Sequence, residues 1–313
     1  MLAVRAVLHV LAVFALSASH IWLWSAALTA GSDWRAWLLL AGNFVLLCFF
    51  YHTIAFVMHE ASHYHLSRWR WLNELLLQLS ATLTYGSATL FRQIHLTHHG
   101  FTNSPRDLEL LPESRPVDDR RKIRRRLLRL ILLSGLERGN YHYGLAFAPR
   151  WQELRPDVTR RIRREVYAVL ALLVGVASAW SWMFGVASWM SGHLLPVLIC
   201  VWLHGWQQLC EHYGLPHGSS PLSSRDVIPR TWLARSLYWF MFDINYHGLH
   251  HAQPFVPAGR MAEAHDQWVD KLRAEGRPAP RSYGSYTQIA LGEVLPLLIR
   301  QYRRNEWPTP LDA

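Results

Sequence analysis

Apolar residues fall along this chain in four long blocks, separated by short polar breaks and two extended polar stretches. The first block, 2–30, is interrupted by Arg5, His9 and His20 and ends at the turn "GSD" (31–33). Its start, with Arg5 ahead of an apolar core and "ALSAS", imitates a signal peptide. It then runs on through "HIWLWSAALTA", too long for one, and reads as a membrane span. The second block, 34–58, would rise about 37 Å as a helix, against a hydrocarbon core of roughly 30 Å. His59 is therefore expected at or just past one interface, with Trp22, Trp24, Trp34 and Trp37 in an aromatic belt at the other. Blocks 166–190 and 193–210 are parted only by Ser191 and Gly192 and read as an antiparallel pair of spans.

Between the pairs, 74–91 is long enough to cross, but Gln78, Ser80, Thr82, Thr84 and Ser87 dilute it. A crossing there would also set His95 on the opposite side from His59, so a half-buried excursion back to the same side is expected. Four crossings place the N-terminus, 59–165 and 211–313 on one side. The pattern predicts amphipathic helices over 118–134 and 286–301 and a loop over 274–285. The expected fold is an all-α integral membrane protein: four transmembrane helices with a cytosolic helical cap, one domain over 1–313.

Composition sharpens this picture. Apolar residues make up 51% and charged residues only 17%, and sixteen tryptophans gather near the ends of the apolar blocks. The net charge of +10 concentrates in the polar stretch containing "RRKIRRRLLR" (120–129). Basic loops beside spans mark the cytoplasmic side, which predicts an inner (cytoplasmic) membrane protein with its cap facing the cytoplasm. The same context argues against a nucleic-acid partner and leaves a face suited to an acidic electron-donor protein. Cys48, Cys200 and Cys210 lie in apolar segments without CxxC spacing, so neither a disulfide framework nor a cysteine zinc site is expected.

The candidate chemistry lies in histidine. "HEASH" holds His59 and His63, "HLTHH" holds His95, His98 and His99, and "HGLHH" holds His247, His250 and His251. "EHYGL" adds His212 just after the fourth span. Residues i, i+3 and i+4 share a helix face, so each group aims its imidazoles at one point. Nine nitrogens exceed one tetrahedral zinc and suit two transition-metal ions, iron first because it couples to dioxygen chemistry. His52, His65, His204 and His217 are read as polar neighbours, and His9, His20, His142, His193 and His265 as structural. "HEASH" also matches the HExxH zinc-protease pattern with Glu60 as general base, a reading that gives the remaining boxes no role. In the metal reading Glu60 orients a ligand imidazole.

In order, "HEASH", "HLTHHGFTNSPRD", "EHYGL" and "NYHGLHHAQPFVP" resemble the histidine boxes of the membrane fatty acid desaturase superfamily, which also includes alkane hydroxylases and carotenoid ketolases. The resemblance covers about 34–265. It implies a non-haem di-iron centre ligated by His59, His63, His95, His98, His99, His247, His250 and His251, with His212 matching an extra ligand. It also implies that Thr102, Asn103 and Asp107 shape the loop under the site, and that Asn245 holds a metal-bound water or the box backbone. The implied activity is O2-dependent oxidation of an unactivated C–H bond in a lipid or fatty acyl chain, first as desaturation, with hydroxylation or ketolation as the alternative. Electrons would come from a separate ferredoxin- or cytochrome b5-like donor with its reductase. Two departures blur the subfamily: Leu249 stands where many acyl-lipid desaturases have Glu, and "EHYGL" is close to an alkane hydroxylase signature.

Overall fold

The computed structural model describes residues 1–31, 33–110, 120–147, 156–218 and 221–306. Four helices are long and apolar enough to cross a membrane: α1 (Leu2–Ala30), α2 (Trp34–Ser62), α6 (Pro156–Phe184) and α7 (Val186–His212). Between them lie α3 (Arg70–Leu83), α4 (Ala88–Phe101) and α5 (Arg120–Phe147). After α7 come β1 (Arg225–Val227), α8 (Trp232–Phe240), α9 (His247–Ala252), α10 (Met261–Ala274) and β2 (Arg281–Tyr283). The last element, α11 (286–304), runs as Tyr286–Ile289, a π-helical turn Ala290–Val294, and Leu295–Arg304. Residues 1–91 and 146–203 form one compact unit; 92–145 and 204–313 form another.

In the first unit the exteriors of the long helices are greasy. Leu8, Leu11 and Phe14 of α1, Leu38, Leu39 and Val45 of α2, and Leu172, Val174 and Trp182 of α6 are all exposed. An exposed apolar surface of this extent needs a lipid solvent, so the chain is a membrane protein. Polar side chains turn inward instead. Ser19 donates to Asn43 Oδ1 at 2.7 Å, Asn43 Nδ2 donates to the Leu16 carbonyl at 3.1 Å, and the His20 ring lies 3.0 Å from Ser191 Oγ. Each such interhelical bond contributes on the order of 0.6 kcal/mol in a bilayer. At the α1–α2 turn Asp33 caps α2, accepting from the Arg35 amide at 3.0 Å. Trp24 meets Trp37 edge-on there.

Two expected boundaries move. The second span runs on to Ser62, carrying His59 inside the helix. The third and fourth spans do not part at Ser191 and Gly192. The helix ends at Phe184, Gly185 turns the chain with φ 85°, and 191–192 sit within α7, in the π-helical turn Met190–Leu194. Gly192 has another use: a Cβ there would lie 2.6 Å from His20 Cδ2, so the glycine admits the imidazole of α1. The 74–91 segment is broken: α3 ends at Leu83, Tyr85 takes φ 61°, and α4 starts at Ala88.

The second unit packs α5, the end of α7, β1 and α11 around Leu127, Leu130, Leu209, Tyr213, Val227, Val294 and Leu298. The helix expected over 118–134 extends to Phe147 with a kink at Ser134; 118 and 119 lie outside the described residues. The 274–285 stretch is not all loop, because β2 pairs in parallel with β1, Asp226 opposite Ser282. Beyond the kink α5 comes so close to α7 that a Cβ on Gly205 would collide with the Gly135 backbone. Gly205→Ala is therefore expected to lower stability by about 1–3 kcal/mol or more, because backbone cannot yield as a side-chain tip can. Gly139→Ala on α5, where nothing lies within 4 Å of the added carbon, should be near neutral. Thermal denaturation of the two purified variants in detergent checks the contrast.

Candidate metal centre

The second box forms because α4 is well started. Ser87 accepts from the Leu90 amide at 3.1 Å, an N-cap bond. The Glu165 carboxylate accepts from the Ser87 hydroxyl at 2.6 Å, the Thr89 amide at 2.9 Å and the Thr89 hydroxyl at 2.7 Å, placing negative charge at the positive end of the helix. About two turns after this start come His95, His98 and His99 on one face.

The third box has a harder task, because α9 is only six residues long and cannot hold itself together. Strand β1 holds it. The Val227 amide donates to the Asn245 carbonyl at 2.8 Å, and Asn245 Nδ2 donates back to the Val227 carbonyl at 2.8 Å. Asp226 Oδ1 accepts from the Gly248 amide at 2.5 Å, and its other oxygen lies 3.1 Å from His265 Nε2. Burial disfavours charge on His265, but this hydrogen bond and the Asp226 and Asp266 charges raise its pKa. A Cβ on Gly248 would sit 3.0 Å from the Asp226 carboxylate, so the box glycine is what lets the clamp close. His212, the last residue of α7, is held by buried Arg225, whose guanidinium donates to the Cys210 and Tyr213 carbonyls at 3.0 Å each.

These elements bring His98, His212, His247 and His251 together, all buried, with one nitrogen of each within 4.8 Å of the others. Their Nε2 atoms meet closely: His212 to His247 at 2.7 Å, His98 to His212 at 3.2 Å and His251 to His247 at 3.1 Å. Beside them His99 Nε2 lies 3.1 Å from His95 Nε2 and 3.0 Å from His250 Nε2. In the other compact unit, His59 and His63 lie at the end of α2 with ring centroids 5.1 Å apart.

The outward nitrogens decide what those inner ones can be. His98 Nδ1 faces Asp107 at 2.7 Å, His95 Nδ1 faces Glu109 at 2.9 Å and His59 Nδ1 faces Glu60 at 3.1 Å. His212 Nδ1 faces the Ser223 carbonyl at 3.2 Å and His251 Nδ1 faces the Thr102 hydroxyl at 3.2 Å. Carboxylate and carbonyl oxygens can only accept, so they fix the proton on Nδ1 and leave Nε2 a lone pair. Lone pairs gathered about 3 Å apart repel one another unless a cation lies among them. Two ligands at right angles on an ion with bonds of about 2.1 Å lie about 3.0 Å apart, the spacing seen here. The residues thus fit a transition-metal ion. Burial, reinforced by His99 and His247, holds the His251 pKa well below its usual value and keeps the ring neutral for ligation. For His98 burial acts the same way but is outweighed by Asp107, with Glu109 and Glu211 adding, and its pKa rises, making it a more basic donor.

The residues of "TNSPRD" hold the loop behind this set. Asn103, at φ 61°, donates from its amide to Asp107 Oδ2 at 3.0 Å and from Nδ2 to the Pro216 and Ser223 carbonyls at 2.9 and 2.8 Å. Asp107 Oδ1 accepts from the Glu109 and Leu110 amides. Glu60 is gripped on both oxygens, by His59 and by His65 at 3.2 Å. Three supporting residues escape the sequence reading: Glu109, Asp226 and Gln208, whose amide joins Glu109 to the buried Arg138. Only the alternation of Asp107 and Glu109 after the second box hints at any of them.

A family model described as "Fatty acid desaturase" matches residues 32–284. No curated protein matches the chain.

Asp107→Asn removes the charge that fixes the His98 tautomer. It is expected to weaken metal binding at the four-histidine cluster about 10- to 100-fold, read as metal retained per chain during dialysis against a graded chelator series.

Proposed function

Because the chain belongs to the fatty acid desaturase family, we propose that it holds two iron ions and uses O2 to oxidise an unactivated C–H bond of a membrane lipid or fatty acyl chain, leaving a double bond. The observation that carries this reading is the convergence of Nε2 lone pairs whose partner nitrogens are committed to Asp107, Glu109, Ser223 and Thr102. His98, His212, His247 and His251 hold one ion. His95, His99 and His250 hold the other, joined by His59 and His63 as the first box of the family pattern. Iron bound in this way supplies O2 activation with electrons from a separate ferredoxin- or cytochrome b5-like donor and its reductase.

The protein's own part is positional. Asp107, Glu109 and Glu60 fix imidazole tautomers and orientation, and Asp226 with Gly248 sets where the third box stands. Buried side chains around the histidines exclude bulk water, and the greasy spans give an apolar chain its route. The arginines of 120–129 and 160–164 support a cytoplasmic position for this face at the inner membrane, where an acidic donor would dock. Hydroxylation is the second reading, favoured by "EHYGL" and by Leu249 ahead of the paired histidines. A zinc-protease role for Glu60 is not favoured, because both its oxygens are engaged by imidazoles.

The purified protein is expected to carry two irons per chain. His98→Ala and His247→Ala should lose iron and activity together. Mass spectrometry of lipids from an expressing host should show acyl chains lighter by about two mass units, only in air; a gain of about sixteen would report hydroxylation instead. Protein that binds no iron and box variants that stay active would refute the proposal.

A further inference from the structure

The nine residues of α8 form a helix that buries none of them. Ala234 and Tyr238, one turn apart, are partly covered, and the Tyr238 ring packs toward the core of its unit, 6.0 Å from the Tyr286 ring. The opposite arc is apolar and open. Trp232 is 78% exposed and Leu233 55%, with Leu237 one turn on from Leu233 and Trp239 two turns on from Trp232, both exposed. A helix this short is marginal in water unless it has a face to bury.

Its attachment gives the helix a second importance. Residues 228–244 leave β1 and return to α9 through a closed base. There the Val227 amide donates to the Asn245 carbonyl and Asn245 Nδ2 donates to the Val227 carbonyl, at 2.8 Å each. Wherever α8 rests, the segment that leads into His247 is held by the same excursion.

The chemistry of the open arc selects its partner. Its hydroxyls are engaged by the helix itself: Ser236 donates to the Trp232 carbonyl at 3.0 Å, and the Thr231 oxygen accepts from the Ala234 amide at 3.2 Å. Water would satisfy these groups unaided, whereas an apolar medium would not. The stretch 227–242 carries two exposed arginines, Arg230 and Arg235, and no acidic residue. Tryptophan and leucine flanked by arginine suit the zone where hydrocarbon meets anionic headgroups.

We propose that α8 is a bilayer contact. Trp232, Leu233, Leu237 and Trp239 enter the lipid at the headgroup boundary, and Arg230 and Arg235 pair with the phosphates of anionic phospholipid. This contact goes beyond the two-ion reading and does not depend on it. One consequence does rest on that reading: the third box is then moored beside the lipid that supplies an acyl substrate.

The test places a nitroxide on Leu233→Cys in the full-length protein, reconstituted in vesicles of phosphatidylcholine and phosphatidylglycerol. Cys48 is replaced by Ala, and the two remaining cysteines are buried. Power saturation then compares access to O2, which concentrates in lipid, with access to a water-soluble nickel chelate. The ratio of O2 to nickel access is expected to be several-fold higher at 233 than at a control label on Gln267→Cys, an exposed position of α10. Adding Arg230→Gln and Arg235→Gln, or omitting phosphatidylglycerol, is expected to raise nickel access at 233. If Leu233→Cys does not fold, judged by gel filtration, Leu237→Cys carries the measurement. Nickel access at 233 equal to that at 267 would overturn the proposal, because the arc would face water. Shielding from both reagents would also overturn it, because a protein surface, such as a second copy of this chain, would cover the arc. No response to either charge change would overturn the pairing with anionic phosphates. The measurement involves neither iron nor turnover, so its failure leaves the two-ion reading standing.

Discussion

Everything around the histidines answers one electrostatic problem. Nε2 atoms of buried imidazoles are held about as close as hydrogen-bonded atoms, and in His98 and His212, whose Nδ1 atoms both face acceptors, the two that meet are lone pairs. A protein core does not tolerate that arrangement by itself. It persists because outer nitrogens are fastened to acceptors and because the helices carrying the rings are fastened elsewhere. The fold spends its buried polar groups on this purpose: Arg225 on the end of α7, Asp226 on the start of α9 and Asn103 on the loop between them. A buried charge left unpaired would cost several kcal/mol, so these groups form a closed set rather than scattered contacts.

The membrane helices and the boxes are visible in the chain for different reasons. Spans show as blocks because lipid demands apolar residues over a fixed length. Boxes show because a helical face repeats every three or four residues, and packing alone seldom gathers imidazoles at that spacing. Boundaries are harder. Ser191 and Gly192 look like a turn by residue type, yet that glycine makes room for His20 within a continuous helix, while Gly185 uses its conformational freedom to turn the chain. Composition does not distinguish a glycine kept for space from one kept for φ. A strand of three residues at 281–283 is likewise silent, since its pairing with 225–227 depends on a partner far away along the chain.

The supporting carboxylates were the least legible. Asp107 and Glu60 travel with their boxes and could be picked out by proximity in sequence. Glu109 matters because Gln208 reaches it from α7, itself held by Arg138 of α5, and Asp226 because a strand from a separate segment passes under Gly248. His265, read as structural, is that in a specific sense: it supports the aspartate that supports the box. Such roles follow from which segments meet, and a single sequence carries no direct record of that.

The parallel ladder of β1 with β2 has a consequence for how the chain is made. All nine box and accessory histidines lie at or before residue 251, but the strand that clamps the third box is itself completed by residues 281–283, and Arg225 is matched by Glu293 at 2.9 Å. The last of these histidines are therefore synthesised before the segment that steadies them, and α9 gains its full brace only once residues 281–293 have been made. Ordering of the third box thus waits on a later stretch of the chain, after all four membrane helices have been synthesised.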